Sequence, residues 1–328
     1  MGKKFFNYLG AFHIHTKLSD GTGDIYSISK AAKKAGLNWI IITDHNNFDI
    51  EEGFYNGVCV IKGEEISPCD SNHYIALGIK NLIPPSNDTQ KFVDNVRAQN
   101  GFGFAAHPDE SDNRKNKAHP IKWTNKNIIP DGIEIWNWFS DWADNYNDTN
   151  IFKISYSYLF RHKLIHDPHK KTLNWWDKLN QNSPKIIPAV AGIDAHALKI
   201  SKYIIPVTIF PYKDCFNTLA NIIPLQNKIS DNFDEQKKII LNSLKTGNNI
   251  MINRHVKKEI PQIYIENKSI IVKLSTKAQI KIITDGKVIH TEENTKNLKF
   301  PIKEKTKYRL EIYLKNQPWI FSNPIILK

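Results

Sequence analysis

Short, almost wholly apolar runs recur along the first two thirds of this chain, and nearly every one ends on histidine or a carboxylate. Tyr8–His15 closes with His13-Ile14-His15, and Trp39–Thr43 (WIIIT) runs into Asp44-His45. Val58–Ile61 leads to Glu64-Glu65, Gly103–Ala106 to His107, and Ile187–Gly192 (IIPAVAG) to Asp194-Ala195-His196. Another run, Tyr74–Ile79, is preceded by His73. Unalternating apolar runs suit strands buried on both faces, as in parallel sheets covered by helices. Helical segments lie between them: Ile25–Ala35 before Gly36, Thr89–Asn100 before Gly101, and Thr172–Gln181. Glycine just past the last periodic residue is a stop signal for a helix. Repeated strand–helix–strand units predict an α/β fold with parallel strands, and so many repeats favour a closed barrel over an open sheet.

Two stretches break this rhythm. Residues 109–131 and 138–180 are polar, aromatic and irregular, and hold Trp123, Trp138, Trp142, Trp175 and Trp176. They read as long insertions on barrel loops, a place where functional groups concentrate. An amphipathic helix is expected over Asp231–Thr246. From about Val256 the texture changes to period-two alternation, with Asp285-Gly286 as a hairpin turn. The expected organisation is a barrel over residues 1–254 and a small C-terminal antiparallel β-sandwich over 255–328.

Composition narrows the class. The 328 residues are 41% hydrophobic and 24% charged, an ordinary globular mix. Three cysteines without a CxxC pair argue against a disulfide framework or a thiolate zinc finger. No apolar stretch is long enough to span a bilayer. The opening MGKKFFNYLGAFHIHT lacks the pattern of a signal peptide, so a cytoplasmic location is expected and no membrane partner. The net charge is +12, and only five of the 45 basic residues are Arg. A Lys-rich surface is a solvated one; it can steer an anionic substrate but does not by itself make a nucleic-acid interface. Walker, GxGxxG and GxSxG motifs are absent, so NTPase, Rossmann dehydrogenase and α/β-hydrolase readings lack support.

The chemistry lies in the strand-end residues. On a strand, residues i and i+2 project to one side, so His13 and His15 point together, as do Asp194 and His196. Asp20, within Ser19-Asp20-Gly21, can fold back over the same place. Each residue alone has a plainer reading: a satisfied core histidine, a turn aspartate, a helix cap. Their recurrence at successive strand ends, on the side where parallel α/β folds place sites, favours a common role. His13, His15, Asp20, His45, one of Glu64 and Glu65, His73, His107, Asp194 and His196 make nine potential ligands of nitrogen and oxygen. That donor set suits Zn, Mn or Fe, and exceeds what one ion accepts, which implies two or three divalent metal ions. Asp44 is expected to support a neighbouring ligand from behind.

HIHTKLSDG, IITDHN, GEEIS, AAHP and AGIDAH together resemble the successive motifs of the PHP (polymerase and histidinol phosphatase) superfamily of metallohydrolases, in order over about residues 8–200. NWWDKL and the closing WIFSNPI are most similar to its carbaryl-hydrolase-like branch. The resemblance implies a distorted, seven-stranded TIM-like (β/α) barrel with a di- or trinuclear centre. It implies that His13, His15, a Glu and Asp194 hold a first metal, that the Glu bridges to a second on His73 and His107, and that Asp20, His45 and His196 hold a third. Family motifs select Glu65 over Glu64 as the bridge, with Glu64 as the alternative. Glu134, in GIEIWN, matches a recurrent acidic position and takes a supporting role.

The leading expectation is therefore a metal-dependent phosphoesterase that hydrolyses a phosphomonoester or related small phosphoester through a metal-bridging hydroxide. Arg161, His162 and His166, in the basic run RHKLIHDPHKK, are candidate substrate contacts. The Trp-rich insertions would stack an aromatic group or form the core of a lid. A carboxylic or carbamate ester hydrolase is the second reading, and a non-catalytic or nucleic-acid-associated PHP module the third. Nucleic acid enters as a substrate and not as a stable partner.

Overall fold

A computed structural model describes residues 5–69, 71–112, 119–145, 165–200 and 207–327. The apolar runs become short strands: β1 (Phe6–Ala11), β2 (Trp39–Ile42), β3 (Gly53–Tyr55), β4 (Val58–Ile66) and β5 (Tyr74–Leu77). They continue as β6 (Phe102–Ala105), β7 (Gly132–Asn137) and β8 (Ala189–Gly192). Helix α1 (Ile25–Lys34) starts on Asp24, whose carboxylate accepts from the Ser27 amide while Ser27 Oγ faces the Asp24 amide. This reciprocal cap satisfies amides that a helix start leaves without partners. Helix α2 (Thr89–Ala98) starts on Asp88, whose carboxylate accepts from the Gln90 and Lys91 amides. The Trp-rich stretches supply α3 (Trp138–Asn145) and α4 (Lys170–Asn182). Trp123, Trp138 and Trp176 are fully buried, so these aromatics are core, whereas Trp142 and Trp175 are half-buried. Beyond the two-residue pair β9 (Lys199–Ile200) and β10 (Val207–Thr208) come α5 (Tyr212–Cys215) and β11 (Leu219–Leu225). Helix α6 (Phe233–Thr246) and β12 (Ile250–Asn253) follow. Among the described residues no helix is long and apolar enough to cross a membrane.

Seven strands run in ring order β1-β2-β4-β5-β6-β7-β8. β1, β2 and β4 are mutually parallel, and so are β6, β7 and β8. β5 departs from the expected all-parallel pattern: it is antiparallel to both β4 and β6. The ladder also does not close. β11 lies antiparallel along β1 from Phe6 to Gly10 and takes the backbone groups that β8 would need. Only the residues past β1 remain for β8. There Ile193 donates to the Phe12 carbonyl at 3.0 Å and His15 to the Ala195 carbonyl at 3.0 Å. Lower in the gap, asparagine side chains imitate a strand. Asn221 accepts from the Ala191 amide at 3.1 Å and donates to its carbonyl at 2.7 Å; Asn323 does the same at Ala189.

Phe12, Ile41, Ile61, Ile75, Phe104, Val190 and Ile223 meet in one apolar cluster, joined by Ile240 and Leu244 of α6. Ile40, Ile42, Val58 and Val60 instead share a cluster with Ile28 and Ala32 of α1. Both faces of these strands are thus buried, as their unalternating sequences require.

The C-terminal strands are β13 (Gln262–Glu266), β14 (Ser269–Thr284), β15 (Lys287–Pro301), β16 (Lys307–Leu314), β17 (Gln317–Ser322) and β18 (Ile325–Ile326). All pair antiparallel, and β14 turns into β15 through Asp285 and Gly286, both at positive φ. The region expected as a β-sandwich over 255–328 is antiparallel and β-rich. β17 pairs with β12, so its sheet continues the barrel sheet. Arg309 of β16 adds a two-pronged ion pair to Asp177 of α4 at 2.8 and 2.9 Å.

Candidate metal centre

The chain segments just past β1, β2, β6 and β8 carry His13/His15, His45, His107 and Asp194/His196, while Glu65 sits near the end of β4. His73 precedes its strand, and the reversed direction of β5 brings that start to the same rim. All nine candidate residues converge there. Glu65, fully buried, is at the centre. Its Oε2 lies 3.2 Å from His13 Nε2, 3.3 Å from His15 Nε2 and 3.1 Å from His45 Nδ1. Its Oε1 lies 2.9 Å from His73 Nδ1 and 3.2 Å from His107 Nε2. Asp194 Oδ1 is 3.2 Å from His15 Nε2 and 3.5 Å from His13 Nε2. Asp20 completes the open side, 3.2 Å from His196 Nε2, 3.6 Å from His15 Nδ1 and 3.7 Å from His45 Nε2. Adjacent residues of a strand point to opposite faces, which separates the two glutamates. Glu64 turns away from the rim; its Oε2 accepts from the Ile83 amide at 2.9 Å, and burial pushes its carboxyl up to about 7.

Burial opposes charge on Glu65, yet the imidazoles of His45, His13 and His73 hold its carboxyl well below the ordinary range. Burial is likewise overcome at Asp194, by His13 and by its contact with His15. Burial and the neighbouring His196 push His15 down to about 3, so this imidazole is neutral. Both its ring nitrogens are buried near carboxylate oxygens without hydrogen-bond geometry to any of them, and His107 Nδ1 is also without a hydrogen bond. Buried polar atoms are nearly always satisfied, so such convergence needs an external partner. Buried nitrogen and carboxylate donors without sulfur fit divalent cations. Four overlapping sets place their donor atoms within 4.8 Å of one another: His15/Asp20/His45/His196, His13/His15/Glu65, His45/Glu65/His73 and His13/His107/Glu134.

The rim is held in an uncomfortable backbone. His13, His107 and Asp194 adopt φ of 69°, 27° and 48°. Non-glycine residues reach this left-handed region only at a cost, and such positions gather at functional sites. Groups behind the rim fix the rings. Glu134 of β7 accepts from His13 Nδ1 at 2.8 Å, and its other oxygen accepts from the His107 amide at 2.8 Å and from Asn137 at 3.0 Å. Gly192 makes room for it, since a Cβ there would lie 1.6 Å from Glu134 Oε1. Asp44 does not touch the cluster rings; it accepts from the Thr16 amide at 2.7 Å and from Ser19 Oγ at 2.6 Å, anchoring the segment that carries Asp20.

Arg161 and His162 lie outside the described residues. His166 is exposed and stays out of the cluster; its carbonyl accepts from the Trp136 indole at 3.0 Å. Sequence reasoning missed three supports. Ser67 Oγ is 2.6 Å from His45 Nδ1, Glu110 Oε1 is 3.7 Å from His107 Nδ1, and the Tyr212 hydroxyl reaches the His15 carbonyl at 2.8 Å. Ser67 and Glu110 had local signals, two residues past Glu65 and three past His107; Tyr212 had none.

Comparisons with known proteins place the chain among relatives. An uncharacterized protein of Methanocaldococcus jannaschii, MJ1587, is 31% identical over 114 residues, covering 29% of this chain and 65% of that protein. The chain therefore spans just under two thirds of that relative's length. A crystal structure of a two-domain protein from Bacteroides vulgatus, described as containing a predicted PHP-like metal-dependent phosphoesterase, aligns at 13% identity with a TM-score of 0.47. That alignment covers 98% of this chain and 96% of the other. PsfC from Pseudomonas syringae aligns at 12% identity with a TM-score of 0.42, over 71% of this chain and 88% of that one. The family model for the PHP domain matches residues 11–246. With more than two thirds of its length inside that match, and with its candidate donors gathered on one rim, the chain belongs to the PHP domain family.

Proposed function

We propose that the chain is a metal-dependent phosphoesterase acting on a phosphomonoester or a related small phosphoester. The carrying observation is the division of Glu65: one carboxylate oxygen faces His13, His15 and His45, the other His73 and His107. A carboxylate divided in this way would hold two cations at once. Two or three divalent ions of the Zn, Mn or Fe class, when bound, offset phosphoryl charge and bring the pKa of water toward about 7. The residues themselves do the rest. His13, His15, Glu65 and Asp194 form the buried first set, His73 and His107 the second with Glu65, and Asp20, His45 and His196 the third. Glu134 keeps the proton on His13 Nδ1, so that Nε2 faces inward. Asp20, with its side chain 54% exposed, marks the open edge where substrate enters. Beside it the half-buried Phe139 ring stands 5.6 Å from His196 and offers an apolar contact for the organic part of the ester.

A phosphate dianion is the substrate that most needs several cations together, which favours phosphoester over carboxylic or carbamate ester. The test is turnover of 1-naphthyl phosphate against 1-naphthyl acetate by metal-loaded protein. Faster phosphate hydrolysis, abolished by a chelator and restored by metal, is expected. Preferential acetate hydrolysis would move the assignment to a carboxylic ester, and activity indifferent to chelation would end the metal-dependent reading.

A further inference from the structure

Asp20 is the most exposed of the nine candidate ligands, and it sits on no strand or helix. What fixes its place is the segment Thr16–Gly23, which is tied down at both ends. At the near end Asp44 takes the Thr16 amide and the Ser19 hydroxyl. At the far end stands Tyr212, the first residue of α5 and 7% exposed. Its hydroxyl accepts from the amides of Thr22 at 3.2 Å and Gly23 at 3.1 Å. It shares its one proton between the carbonyls of His15 at 2.8 Å and His196 at 3.1 Å. One oxygen therefore joins the Asp20 segment to the backbones of two other candidate ligands. Thr22 reinforces the strap, its amide donating to the His196 carbonyl at 2.9 Å and its hydroxyl to the Ala197 carbonyl at 2.6 Å. The sequence is shaped to admit the ring: a Cβ on Gly23 would lie 2.6 Å from Tyr212 Cε2, and one on Gly21 would lie 2.9 Å from its hydroxyl.

We infer that Tyr212 is a positioning residue that sets the affinity of the cation site formed by Asp20, His45 and His196, without touching the ion. This rests on the metal-centre reading above. Of the buried sets around Glu65 only His15 meets this hydroxyl, through its backbone carbonyl, and His15 is also held by its amide bond to the Ala195 carbonyl; strand ends and Glu134 fix the rest. Supports behind a ligand typically change metal affinity about 10- to 100-fold when removed.

The test titrates Mn into chelator-stripped full-length protein by calorimetry. Asp20→Asn identifies which binding equivalent belongs to this site. Tyr212→Phe is expected to weaken that equivalent at least about tenfold while the tighter ones keep their affinity. Tyr8→Phe removes a hydroxyl that accepts from the Ile229 amide far from the rim and is expected to change none of them. Thr22→Ala opens the same strap from its solvent side and is expected to weaken the same equivalent by less; it decides the matter alone should Tyr212→Phe not fold. Equal weakening of every equivalent, or no change in either strap variant, overturns the inference while leaving the metal centre intact. Wild-type protein that binds no Mn overturns both.

Discussion

The rim around Glu65 gathers six histidines and three carboxylates, several with strained backbone and ring nitrogens that no protein group satisfies. At the other end of the same continuous sheet, β13–β18 bury Ile270, Val272, Ile280, Ile282, Leu310, Ile312, Trp319 and Ile320 in an apolar cluster. There the buried charges are matched: Arg309 meets Asp177 and Glu311 at close range. One end gives up stability to hold chemistry, and the other supplies stability without candidate chemistry. Changes at the rim should therefore cost ions and activity, and changes in the C-terminal sheet should cost folding free energy with ion binding intact.

The sharpest way to break this contrast is Glu65→Gln. Its loss removes the bridge between two sets of imidazoles, and phosphoester turnover should fall about a thousandfold, several kcal/mol of transition-state stabilisation. Steady-state kinetics at saturating metal measures this, and a fall below tenfold would deny the bridge. Next comes Trp319→Ala, which empties a fully buried site in the apolar cluster. It should cost about 3–5 kcal/mol in denaturant unfolding, with the residual folded protein binding ions normally. Arg309→Ala leaves the carboxylates of Asp177 and Glu311 without their partner and should cost about 3 kcal/mol. If it also removed ions from the rim, the two ends would not be independent. The smallest effect concerns thiols. Cys59 is buried, its thiol pushed up to about 12 by that burial, and Cys215 is buried too, whereas Cys69 is exposed. Native protein should react with Ellman's reagent at Cys69 alone, and a second fast thiol would show that one of the barrel layers opens readily.

The same contrast explains what the sequence disclosed. Apolar runs such as WIIIT mark strands because burial on both faces leaves no other pattern, and ligands placed next to such runs were visible with them. The direction of β5 was not visible. A four-residue apolar run reads identically either way, and only pairing shows why His73 precedes its strand instead of following one. The choice between Glu64 and Glu65 is a question of register, which the residues left open; the family resemblance favoured Glu65, and the rim holds that residue while Glu64 turns to the Ile83 amide. β11 and β12 escaped notice because Asn221 and Pro224 interrupt the apolar run of Leu219–Leu225 and Ile250–Asn253 is only four residues long. The pairing of Asn221 and Asn323 with β8 across the open gap was hidden because a side-chain amide standing in for a peptide leaves no periodic trace. Tyr212 lies 197 positions from His15, and contacts at that separation depend on the whole fold. In the C-terminal region alternation and Asp285-Gly286 gave the hairpin, but not the β12–β17 ladder that joins it to the barrel.

The most direct measurement is elemental analysis of the purified full-length protein beside its Glu65→Gln variant. If nine side chains form one cage about a shared carboxylate, the wild type carries about two to three divalent ions per chain and the variant retains at most one. A wild type with no bound ion, or a variant with an unchanged count, would contradict the account.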